Sequence, residues 1–333
     1  MTKRCQPISV LAKKISQPFL GNDSIYKENL RLMDFFKFNK IYVIESLLNE
    51  PQTGKSLFND IIKIRSRYHS DLLTEFVQVL SLEAWTDTIK RIIQEVKDNL
   101  VIPILHFELH GSSNHDGLVL ANGELIPWRD FVSDMRCINI ATQNNLFITM
   151  GICFGMEILY HTSLKEPSPF FGIIGSLYAL ENDDIYIRYC DFYNEFLQSF
   201  DIIKSLECLF KANPGRPQEY SFVNAPELFR RVYEHYLKTQ FTPDAIKKRT
   251  SDAIKEAETK RGLKYYLSKE KKVFAKRFKK ELKKSKEPFY LNHFNNFLMC
   301  NKFETCKKRF AIPRTTKEFL ETNWNDIMPT VIS

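Results

Sequence analysis

The chain has 333 residues, 44% apolar, 26% charged and 13% aromatic, a balance that provides a large core and excludes disorder as the main state. The formal net charge of +8 is unevenly placed, because residues 241–310 hold 21 Lys and Arg against 8 Asp and Glu, leaving 27 against 32 elsewhere. Met1 to Lys14 is polar and basic with no apolar run behind it, so no secretory signal is expected. The most apolar stretch, Leu146 to Tyr160, is too short for a bilayer and carries Glu157, so no membrane span is expected either. Seven cysteines without paired CxxC spacing suit a reducing, cytoplasmic setting rather than a disulfide framework or a zinc site.

Residues 1–37 form an N-terminal segment, with a short helix expected around Tyr26 to Phe36. Lys40 to Leu47 then reads as a buried strand, since Ile41, Tyr42, Val43 and Ile44 make a β-branched and aromatic run. Glu50-Pro-Gln-Thr-Gly54 breaks it, and Lys55 to Arg67 places Leu57, Ile61, Ile62 and Ile64 at helical spacing. Leu72 to Leu82 is a second strand, and Trp85 to Asn99 a helix with Ile89, Ile92, Ile93 and Val96 on one face. Leu100 to Leu109 is a third strand ending on His110-Gly111. Asn122-Gly123 between two apolar runs predicts a hairpin over Gly117 to Trp128. A helix over Arg129 to Thr142 follows, then a fourth strand, Leu146 to Ile152, ending in Cys153-Phe154-Gly155. Phe170 to Ser176 is a fifth strand and Tyr186 to Phe210 a helix, before Asn213-Pro-Gly-Arg-Pro217 marks a linker.

Strands alternating with helices define an α/β domain with a largely parallel sheet over residues 38–212. Residues 213–333 read as a helical basic C-terminal region: Pro226 to Thr239, Thr242 to Glu258, and a basic helix from Gly262 to Lys286. In parallel sheets chemistry collects at the carboxyl ends of the strands. Two such ends carry His110 and Cys153. A nucleophilic cysteine must be a thiolate, and a nearby imidazole can take its proton and later return one to a leaving amine. Gly111 leaves room for a substrate to approach the backbone, and its N–H with that of Cys153 would bind a developing oxyanion.

These residues resemble the caspase-like cysteine peptidases of clan CD, which include metacaspases, separases and the bacterial CHAT proteins. The likeness lies in order and spacing. The strand Val101 to Leu109 precedes His110-Gly111, a hairpin and a helix follow, and the strand Asn145 to Ile152 precedes Cys153, 43 residues beyond the histidine. The resemblance covers residues 38–205 and implies a caspase-like sheet, a catalytic dyad of His110 and Cys153, and a protein or peptide substrate. It further implies that the strand ending at Ser176 lines the substrate cleft and that Lys55, in the loop bordering it, contacts substrate. Bacterial relatives act in cell-suicide or antiphage systems. Gly151-Ile-Cys-Phe-Gly155 departs from the caspase Gln-Ala-Cys-x-Gly signature, so cleavage after aspartate is not implied.

Three other patterns compete for notice. His106, Glu108 and His110 fall at period two with His115 nearby, the outline of a metal cluster without the spacing of a helical zinc motif. Thr53-Gly54-Lys55-Ser56 sits between strand and helix as a P-loop would, but Asn49 and Pro51 depart from that motif. No metal or cofactor is expected from either. Arg261 to Lys286 carries 12 Lys and Arg against 2 Glu, which suits an activating partner or nucleic acid. The alternative function is therefore a non-catalytic caspase-fold scaffold whose basic C-terminal helices hold nucleic acid or a protein.

Overall fold

Phe36 and Phe38 point inward from strand β1 (Phe36–Phe38), and past Asn39 the run Ile41 to Ile44 is wholly buried in β2 (Lys40–Glu45). The computed structural model describes residues 36–99, 101–261, 268–284, 286–310, 315–321 and 330–332. The expected helix around Tyr26 to Phe36 lies outside these residues, apart from Phe36 itself, which is in the strand.

After β2 the chain alternates. Helix α1 is Thr53–Leu57, continued through a π-helical turn, Phe58–Ile62, into Lys63–Ser66. Then come β3 (Leu73–Gln78), α2 (Leu82–Asn99) and β4 (Pro103–Glu108). A small antiparallel sheet of β5 (His110–Gly111), β6 (Gly117–Val119) and β7 (Leu125–Pro127) contains the predicted Asn122-Gly123 turn. Helix α3 (Trp128–Ala141), β8 (Phe147–Met150), a 3-10 turn (Gly155–His161) and β9 (Gly172–Ser176) follow. Helices α4 (Asn182–Ser199) and α5 (Ile202–Lys211) lead to β10 (Tyr220–Asn224).

The main sheet has the order β3-β2-β4-β8-β9-β10, with every pair parallel except β9 and β10. Neighbouring residues on β4 show how its two faces are covered. Phe107 packs on Trp85 of α2 and Phe131 of α3, whereas His106 packs on Tyr189 and Tyr193 of α4. Each face is thus closed by its own helix layer, and for that reason β2, β4, β8 and β9 are buried along their whole length rather than on alternate residues.

Two expectations need correction. The predicted helix from Tyr186 to Phe210 is two helices, because Phe200 adopts a left-handed conformation (φ 52°) and the Asp201 carboxylate caps the second by accepting from Ile203 N and Lys204 N. The sheet also does not end before residue 213. Tyr220 to Asn224 forms a sixth strand that covers the β9 edge, which would otherwise expose unpaired backbone groups. The turn between α5 and β10 is pinned by the buried Arg188, whose guanidinium binds Asp184 and donates to the carbonyls of Leu209, Phe210, Asn213, Arg216 and Pro217.

The C-terminal helices are α6 (Ala225–Gln240), α7 (Pro243–Arg261), α8 (Ser268–Lys284), α9 (Lys286–Phe297), α10 (Glu304–Arg309) and α11 (Thr316–Glu321). Asn224 caps α6 by accepting from Glu227 N at 2.8 Å. Phe229 and Tyr233 of α6 pack on Tyr290 and Phe294 of α9. The same region is tied to the sheet: Ser168 N donates to Phe297 O, Asn144 Nδ2 to Leu298 O, and Arg309 lies 4.0 Å over the Phe171 ring. A further strand, β11 (Thr330–Ile332), pairs parallel with β1. Among the described residues no helix is long and apolar enough to cross a membrane.

Candidate active site

The strand ends carrying His110 and Cys153 lie against each other. The position that a Gly111 Cβ would occupy is 1.9 Å from the Cys153 carbonyl oxygen and 3.5 Å from its Cβ, so only glycine permits this approach. Ser112 N donates to Gly117 O at 3.0 Å, and the alternation of an antiparallel ladder then turns the Gly111 N–H away from β6. His110, one residue earlier, is an exposed side chain, 48% accessible.

Past β8 the chain makes a tight turn in which Gly155 N donates to Ile152 O and Phe154 sits in the left-handed region (φ 60°). A bulky residue there costs about 1–2 kcal/mol. The conformation is held by Phe154 N donating to Tyr178 O at 3.0 Å and by the His115 ring 4.1 Å from that of Phe154. The turn leaves Cys153 half-buried at the sheet edge. Its Sγ accepts the Leu180 N–H at 3.2 Å, and as a thiol it donates to Leu180 O at 3.6 Å.

The imidazole of His110 is engaged elsewhere. Its Nε2 lies 2.8 Å from Glu50 Oε1, and among the described residues no hydrogen bond joins it to Cys153. Glu50 follows β2 in a turn and was legible in the sequence only as part of a strand break. Carboxylates in this relation to a histidine fix its ring orientation and tautomer.

Beneath the site is a buried polar network. Glu45 and Glu108 stand side by side in the register of β2 and β4, both fully enclosed. Glu108 accepts from Thr53 Oγ1 at 2.9 Å and lies 3.0 Å from His106 Nε2, whose Nδ1 reaches Thr149 Oγ1 and, through it, the Tyr193 hydroxyl. Its side chain fills the space that side chains at Gly54 and Gly151 would need, the methylenes at Gly54 and the carboxylate at Gly151. Glu45 accepts from the backbone N–H groups of Lys55 and Gly54, and its second oxygen, Oε2, is buried without a partner among the described residues. Burial, reinforced by the charge of Glu108, pushes the Glu45 carboxyl up to about 7.

This network settles two sequence patterns. The metal outline dissolves because its members diverge: His106 and Glu108 point into the core, His110 turns to Glu50, and His115 Nδ1 meets Glu157 at 3.3 Å. The P-loop resemblance fails as well. The Gly54 and Lys55 N–H groups that would cradle a phosphate are taken by the Glu45 carboxylate. Of the residues expected to contact substrate, Lys55 is exposed, but Ser176 is fully buried and its Oγ accepts the Tyr178 N–H at 3.0 Å. Its hydroxyl therefore belongs to the turn after β9 rather than to an open cleft.

Fold and site together define an α/β protein with a mostly parallel six-stranded sheet and a thiol at the carboxyl end of one strand. The sequence matches no protein-family model and no curated protein.

Proposed function

We propose that this chain is a caspase-like cysteine endopeptidase, with Cys153 as nucleophile and His110 as general acid and base. The observation that carries the reading is the packing of Gly111 on Cys153, which sets an exposed imidazole and a thiol on adjacent strand ends at the carboxyl edge of a parallel sheet. His110 takes the thiol proton, and the Cys153 thiolate adds to the scissile carbonyl. The N–H groups of Gly111 and Cys153 hold the resulting oxyanion. His110 then passes its proton to the leaving amine, and a water that it deprotonates hydrolyses the thioester, regenerating the thiol. Glu50 holds Nε2 of the ring, so proton transfer runs through Nδ1 or follows rotation of the side chain. Such contacts commonly tighten only once substrate is bound.

A reducing, cytoplasmic setting suits the six described cysteines, all free. The family resemblance associates such an enzyme with cell suicide or antiphage defence. A second reading, a non-catalytic scaffold, is favoured by the Glu50 and Leu180 contacts that engage His110 and Cys153 separately.

The deciding experiment incubates wild type, Cys153→Ala and His110→Ala with a proteome-derived peptide library and reads new termini by mass spectrometry. Cleavage by wild type, with a drop of about 10³-fold or more in each variant at unchanged melting temperature, supports the peptidase. Undiminished cleavage in either variant refutes the assignment of that residue.

A further inference from the structure

Helix α8 presents two different faces. Lys269, Lys272, Lys276, Arg277, Lys279, Lys280, Lys283 and Lys284 are all exposed. At about 100° per residue they fall within one arc of about 160°. The opposite side carries Phe274, Phe278 and Leu282, with the two phenylalanine rings stacked at 6.0 Å and Leu282 buried. Helix α7 packs against α8, and Lys271, on the same side of α8 as the apolar stripe, reaches across to Glu258 of α7 at 2.5 Å. The apolar stripe is therefore used within the protein, and the cationic arc is what remains outward.

That arc is poorly neutralised. Lys284 has Glu281 at 3.9 Å, but Lys269, Lys272, Lys276, Arg277, Lys279, Lys280 and Lys283 form no ion pair among the described residues. Like charges four apart on a helix repel by a few tenths of a kcal/mol per pair, and here Lys272 with Lys276, Lys276 with Lys280, and Lys279 with Lys283 accumulate that cost. Helices that need only solubility interleave acidic residues, as α7 does with Asp252, Glu256 and Glu258. The protein outside residues 241–310 carries 27 Lys and Arg against 32 Asp and Glu, so this charge is local and not a property of the whole surface.

We infer that α8 is a docking surface for the phosphate backbone of nucleic acid. From Lys269 to Lys283 the arc runs about 21 Å, the rise of about six base pairs of duplex. Lysines dominate it, and as point charges they suit phosphates without reading bases. A membrane surface fits less well, because Val273 is the one large apolar side chain on the arc among the described residues. The surface is independent of the thiol site, so it stands or falls apart from the peptidase reading.

The test uses the full chain and fluorescein-labelled DNA and RNA duplexes of about 20 base pairs, titrated over a range of salt. Binding to either should show a log–log salt slope of about −4 to −5, for about five phosphates neutralised. The variant Lys272→Gln, Lys276→Gln, Lys280→Gln and Lys283→Gln should bind at least tenfold more weakly, with the slope reduced by about three. A control with Lys63→Gln, Lys90→Gln, Lys97→Gln and Lys204→Gln removes the same charge from other exposed positions and should bind as wild type does. Failure to bind either duplex, equal weakening in the control, or tighter binding to phosphatidylserine vesicles than to the duplexes would each overturn the inference.

Discussion

Glu45 is a carboxyl group that the fold holds at a disadvantage when ionised. It is wholly buried beside Glu108, and one of its oxygens has no partner among the described residues. Its folded value of about 7 lies above the ordinary 4.5, so folding favours the protonated form. The contribution of this proton to stability is fully present below pH 4.5 and is lost as pH rises through 7. Replacing the group by an amide keeps Oε1 as acceptor for Lys55 N and removes the titration. The Glu45→Gln variant should gain on wild type by up to about 3 kcal/mol between pH 5 and pH 8, read from urea unfolding at the two values. A gap that stays constant with pH would show that Glu45 does not titrate there. None of this was legible in the sequence, where Glu45 was one residue of a strand and Glu50 one residue of a turn. The partners that give these acids meaning, Glu108 and His110, are 63 and 60 positions away in the chain. His110 and Cys153 were legible because each ends an apolar run, a local signal. Ser176 ends such a run too, but the turn after it uses its hydroxyl.

At the scale of elements, the site is made by two strand ends that touch only because Gly111 lacks a side chain. A methyl group there would lie 1.9 Å from the Cys153 carbonyl oxygen, and both atoms are held by backbone, so neither a rotamer change nor a flexible tip relieves the clash. Gly111→Ala should cost about 3 kcal/mol or more and should appear as a lowered midpoint in chemical denaturation. In contrast, Gly123→Ala meets no atom within 4 Å and should cost only the strain of its left-handed backbone, about 1 kcal/mol. If the two variants were equally stable, the contact between the strand ends would not hold in solution. Elements with a strong period were recovered from the sequence almost in place, among them α2, α3 and the β6–β7 hairpin. The period misled where tertiary contacts overrode it. Phe192, Phe196 and Phe200 keep helical spacing across a chain that in fact breaks at Phe200, whose left-handed backbone ends α4 while its ring packs on Phe196, Phe38 and His69. Strand β10 lies between a Pro-rich turn and a long helix, and its five residues were too few to stand out.

For the whole molecule, the consequence of β10 is that the sheet and the C-terminal helices share one core. Tyr220, Val223, Leu228 and Phe229 are all buried, and each such side chain contributes about 1.5–3 kcal/mol by leaving water. Four of them amount to about 6–12 kcal/mol, similar to the entire net stability of about 5–15 kcal/mol that a folded protein has. Removing them also bares the β9 edge, whose five residues are all buried, and strips Leu298, Phe297 and Arg309 from Asn144, Ser168 and Phe171. A chain ended after Ala212, the boundary that composition suggested, should therefore lack a cooperative thermal transition and should aggregate through its open strand edge. A chain ended after Phe310 keeps every one of these contacts and should melt cooperatively, within a few degrees of the full chain. Near-ultraviolet circular dichroism during heating distinguishes the two, since the aromatic cluster of Phe229, Tyr233, Tyr290 and Phe294 gives a signal only when packed. A soluble, cooperatively melting chain ended after Ala212 would mean that the first five strands form a domain of their own and that β10 with its helices is an appendage to it.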